Sequence, residues 1–130
     1  MLTTYSPCIK TLTIEQFRHF GIACCYQLEC DRKDKRLAKA LKKLEQSLGP
    51  PADEKMRRDA FNIANSVYRE LRSGDGVLKA VACTLVCACW DSPNSSLIGN
   101  FEWALKEDKQ LSRAEIEKIE YGLLRSIVGG

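Results

Sequence analysis

Val77-Leu78-Lys79-Ala80-Val81-Ala82-Cys83-Thr84-Leu85-Val86-Cys87-Ala88-Cys89-Trp90 is the stretch on which the fold of this 130-residue chain turns. It carries one charge, Lys79, and neither glycine nor proline. It lacks the period-two alternation of a half-buried strand. It is also too short to span a bilayer, which takes about 20 apolar residues. A helix apolar on nearly every side is buried on every side. The sequence therefore predicts a central helix over 77–90, the most buried element of an all-α protein.

Working outward, Ser73-Gly74-Asp75-Gly76 and Asp91-Ser92-Pro93-Asn94-Ser95-Ser96 are loops by composition. Upstream, Met56, Ala60, Ile63, Ala64, Val67 and Leu71 form one helical stripe, capped by Asp53. Before it, Leu37, Ala40, Leu41, Leu44 and Leu48 form another. That helix, over 32–48, ends at Gly49-Pro50-Pro51, where glycine suits a left-handed cap and proline cannot continue the helix. The first helix opens with Thr13 and Gln16 as a capping box and Leu12 with Phe17 as its hydrophobic staple. Its buried face carries Ile14, Phe17, Phe20, Gly21, Cys24 and Leu28, and Asp31 marks a bend or a second cap. Downstream, Ile98, Phe101, Ala104 and Leu105 face inward on a fifth helix. A sixth starts with the box Ser112/Glu115 and the staple Leu111/Ile116, and carries Ile116, Ile119, Leu123, Leu124 and Ile127. The expectation is a compact bundle of about six helices over 13–130, antiparallel neighbours joined by short loops. An extended N-terminal arm over 1–12, broken by Pro7, precedes it.

Apolar residues at 45% and charged residues at 28% give the balance of an ordinary globular domain. A net charge of +3 predicts neither nucleic acid nor membrane as partner by itself. No basic start followed by an apolar run marks an export signal. Seven cysteines, an odd number, sit mostly within apolar helical patterns. They read as reduced core thiols of a cytoplasmic protein rather than as a disulfide framework.

Chemistry is sparse in the pattern. Cys24, Cys25 and Cys30, and Cys83, Cys87 and Cys89, lack the paired spacing of a zinc site. On a helix Cys89 projects roughly 120–160° away from Cys83 and Cys87. No metal site and no cofactor are expected. The one histidine, His19, lies on the polar side of the first helix, three turns from Cys30 on that side, out of reach as a catalytic base. Glu107/Asp108 and Glu117/Glu120 read as solvated charge runs, and no glycine loop suits phosphate. The reading is non-enzymatic.

Charge gives the strongest local signal. Between 32 and 43 seven residues are basic and only Asp34 is acidic. Arg32, Arg36, Lys39 and Lys43 align within about 60° on a helix, flanked by Lys35 and Lys42. Residues 1–72 are net +5 and residues 73–130 net −2. Two aromatics fall outside the apolar phase: Trp103, opposite Phe101 and Leu105, and Tyr26, which shares the polar side of the first helix with His19 and Ile22. Exposed Trp and Tyr are favoured interface anchors.

The alternation of Ala and Cys in the helices resembles small helical immunity proteins of bacterial toxin systems, but no motif carries residue roles over from them. The leading reading is a monomeric interaction protein, an adaptor, inhibitor or regulator. It would bind an acidic protein surface through Arg32, Lys35, Arg36, Lys39 and Lys43, with Trp103 and Tyr26 as anchors. A nucleic-acid-binding regulator using the basic face of helix 32–48 is the second reading, and a cysteine-based metal or redox module the third.

Overall fold

The computed structural model describes residues 11–128. Among them are seven α-helices and no strand: α1 Ile14–Gln27, α2 Cys30–Lys33, α3 Lys35–Ser47, α4 Glu54–Glu70, α5 Gly76–Ala88, α6 Ser96–Lys109 and α7 Arg113–Val128. A 3-10 turn, Ser73–Asp75, leads into α5. No described helix is long and apolar enough to cross a membrane. The arm expected over 1–12 falls outside the described residues up to position 10. Leu12, its last residue, is packed into the core.

The caps read from the sequence form. Thr13 Oγ1 accepts from Gln16 N and Gln16 Oε1 from Thr13 N, both at 3.0 Å. Ser112 and Glu115 repeat the box at 3.2 and 2.8 Å. Gly49 has φ 76, and a Cβ there would lie 2.2 Å from the Pro51 carbonyl carbon, so only glycine fits that turn.

Helix α5 packs against α6, α1 and α4 and touches α2 and α3. Ala80, Val81, Ala82 and every residue from Thr84 to Cys89 are buried, so the central placement holds. Burial is not complete all round. Lys79 and Cys83, one turn apart, are only half-buried. Trp90, read as the end of the buried run, is instead 45% exposed, because α5 stops at Ala88 and the chain turns outward. The close approach of α1 to α5 occurs at Gly21, where a Cβ would lie 2.5 Å from Ala88 Cβ. Ile22, placed on the polar side by its phase on α1, is buried. A helix enclosed by several neighbours buries more than one stripe.

The carbonyls at and just beyond the end of α5 take side-chain donors. Arg57 Nη1 donates to Cys89 O at 2.5 Å, Arg18 Nη2 to Trp90 O at 3.3 Å, and Asn94 Nδ2 to Cys87 O at 3.4 Å. Both arginines lean on Glu54, at 2.9 Å from Arg57 and 3.7 Å from Arg18. Two guanidinium groups thus sit where the helix dipole favours positive charge. Burial, with Arg57 close by, lowers the Arg18 pKa despite Glu54.

Helices α3 and α4 pair closely, as do α5 and α6. The close pairing of sequence neighbours does not extend to α6 and α7. Helix α7 packs chiefly on α1, and Gln110, at φ 57, turns the chain after α6.

Candidate interaction surface

The basic helix begins later than its charge pattern suggested. Leu28 ends α1, Glu29 takes a left-handed φ of 58°, and Cys30–Lys33 forms a single turn. Asp34 is then extended and caps α3, accepting from Arg36 N at 2.8 Å and Leu37 N at 3.2 Å. Asp34, not Asp31, is therefore the cap. Arg32 lies on the preceding turn, where it faces Glu29 at 3.6 Å, and it does not continue the α3 stripe. The signal was the aspartate itself, a strong N-cap former hidden among lysines.

On α3 the apolar and basic faces lie opposite one another. Leu37, Ala40, Leu41 and Leu44 are buried, while Lys35, Lys39 and Lys42 are exposed and Lys43 is half-buried. Among the described residues none of these four lysines enters an ion pair. Arg36 differs. Its guanidinium bonds Glu70 of α4 at 2.8 Å, which raises its pKa and links α3 to α4. On the α1 side, Tyr26 Oη donates to Glu45 Oε1, and this bond pushes the phenol up to about 12. Tyr26 is 42% exposed. Tyr26 and the lysines thus border one another, with Arg36 at the far edge.

Trp103 belongs elsewhere. It is 46% exposed on α6, and its Cη2 would lie 3.0 Å from a Cβ on Gly76. Its indole covers the start of α5, and the cleft of about 230 Å³ beside it is lined by Gly99, Glu102, Lys106, Arg113 and Ile116. None of the basic residues of α3 lines that cleft.

Two features were missed in the sequence. One is a cleft of about 490 Å³ where Trp90 and Asp91 meet Arg57, Arg58, Phe61 and Asn62 of α4. The other is a buried carboxylate. Glu120, read as solvated, is 0% exposed, and neither of its oxygens finds a hydrogen-bond donor. Burial first, then the neighbouring Glu102 carboxylate of α6, pushes its pKa up to about 9. Arg113 reaches Glu102 at 3.4 Å, Arg113 and Glu117 stand nearby on α7, and Cys24 faces the site from α1. The phase held the clue, since Glu120 falls one turn from both Ile116 and Leu124, inside the apolar stripe.

Six cysteines are described, none in a disulfide. No group of three or more His, Cys, Asp or Glu among the described residues is arranged to hold a metal. No protein-family model matches the chain, and neither a curated protein nor a solved structure is significantly similar to it.

Proposed function

We propose that this chain is a non-enzymatic, monomeric helical interaction protein of the cytoplasm that docks an acidic protein surface on the lysine face of α3. One observation supports the reading above others: among the described residues, four lysines on one helix remain without ion pairs while the acids around them are engaged. Asp34 caps the helix, Glu45 accepts from Tyr26, and Glu70 takes Arg36. Lys33 and Lys109, by contrast, meet Asp108 at 3.0 Å and Glu29 at 2.6 Å. The uncompensated positive face is complementary to a negative one, an arrangement that steers association and selects partners. Tyr26 at its edge supplies an aromatic contact.

Affinity capture from the native host tests this, comparing the wild-type chain with a Lys39→Glu/Lys42→Glu variant, with and without nuclease. The expected result is an acidic protein retained by the wild type, lost with the variant and unaffected by nuclease. Retention that vanishes on nuclease treatment would transfer the face to nucleic acid. Equal retention by both forms would remove it from function.

A further inference from the structure

We infer that the cleft between the end of α5 and the outer face of α4 is a binding site for a small aromatic anion, a mononucleotide of adenine. This goes beyond the interaction reading and does not depend on it, since no residue of α3 lines the cleft. Its volume is about 490 Å³. Small-ligand sites of roughly 300–1,000 Å³ combine apolar walls with a few polar groups turned to one point. Here Trp90 and Phe61 supply the walls, and Arg57, Arg58, Asn62 and Asp91 the polar groups.

The backbone that carries Trp90 is fixed on both sides. Its N–H donates to Cys87 O at 3.2 Å, and its carbonyl accepts from Arg18 Nη2 at 3.3 Å. An indole 45% exposed is thereby held at the cleft instead of packing into the core. Behind it, buried Arg57 is engaged by Cys89 O and Glu54, while Arg18 Nε is buried with no acceptor among the described residues. Arg18 and Arg57 share the single carboxylate of Glu54. With Arg58 and Asp91 at the rim, three cations meet two acids, and an anion completes the balance. Arg58, Asn62 and Asp91 are exposed, and among the described residues none of their side chains enters a hydrogen bond or an ion pair.

These free groups fit one ligand chemistry. A base stacks on an aromatic ring. An asparagine amide meets adenine N6 and N7 with two hydrogen bonds. A carboxylate accepts from ribose hydroxyls, and a guanidinium takes phosphate in a two-pronged contact. Trp90, Asn62, Asp91 and Arg58 supply these four contacts in turn. Arg58 and Asn62 stand one turn apart on α4, and the longer arginine side chain carries the phosphate contact away from the base.

Trp103→Phe leaves Trp90 as the single indole, so its fluorescence reports this cleft alone. Titration with adenosine monophosphate should quench it saturably. Adenosine, which lacks the phosphate, should bind about ten-fold more weakly. Arg58→Gln should weaken the nucleotide by about the same factor and leave adenosine unchanged. In calorimetry Trp90→Leu should weaken the nucleotide about ten-fold or more at an unchanged melting temperature. Lys39→Glu/Lys42→Glu should bind it as the wild type does, and loss there would place the phosphate on α3 and overturn the proposal. So would quenching that never saturates, equal binding of nucleotide and adenosine, or an Arg58→Gln variant with unchanged affinity. Tighter binding of single-stranded oligoadenylate than of the mononucleotide would also overturn it, making the cleft a path for a nucleic-acid strand.

Discussion

Gly21 and Glu120 each owe their importance to what stands across from them. At Gly21 a methyl group would meet Ala88 Cβ at 2.5 Å and Ala88 Cα at 3.2 Å, a backbone atom that cannot step aside. Gly21→Ala should therefore destabilise the fold by about 1–3 kcal/mol despite the better helix propensity of alanine. Chemical denaturation measures this, and a stabilised variant would show that α1 and α5 do not approach so closely. Glu120 works through protons. An unfolded glutamate ionises near the usual value of about 4.3, while in the fold Glu120 keeps its proton to about 9. Between those values the folded state binds more protons, so stability falls as pH rises through the window. Glu120→Gln should remove that slope and raise stability at pH 7 by up to about 4 kcal/mol. Melting temperatures across pH 5–9 decide the point, and a variant less stable than wild type at pH 8 would refute it. Gly21 could be placed on the buried face from sequence, but its partner Ala88, 67 positions away, could not. Glu120 was legible in phase, and its charge obscured it.

Among the elements, α5 organises the rest. Its apolar run was readable, and so was its central position. Its end was not, because the cations that meet the carbonyls just past it, Arg18 and Arg57, come from α1 and α4, where they read as ordinary surface charge. Leu85 is fully buried in this helix, and Leu85→Ala should cost about 2–5 kcal/mol through loss of contacts and the cavity left behind. In amide exchange of the wild type, 80–88 should be among the slowest segments of the chain. Exchange there as fast as at the chain ends would mean that α5 is not the core. The start of α3 shows the opposite case. Seven basic residues suggested one long cationic helix, yet the single aspartate among them set its first turn. A side chain that satisfies two backbone donors outweighs a charge pattern whose members repel one another.

At the scale of the molecule, the basic excess of the sequence lies in residues 1–72. The net +5 of residues 1–72 includes the lysines of α3 that lack ion pairs among the described residues, while the acidic half holds the buried carboxylate Glu120 of α7. The faces of α3 were legible because helical phase alone separates them. Which of its cations are spent within the fold was not, since Glu70, which holds Arg36, lies on another helix. Arg36→Glu would set two carboxylates against each other, so charge reversal belongs at Lys39 and Lys42, which are exposed and outside any ion pair among the described residues. Attraction between such a face and an acidic partner is screened over about 8 Å at physiological salt, so it acts mainly on the rate of encounter. The most direct measurement is the association rate of a captured partner, across ionic strength, for the wild type and for Lys39→Glu/Lys42→Glu at equal melting temperature. The lysine face predicts slower association and a flatter salt dependence for the variant; identical rates at every ionic strength would contradict it.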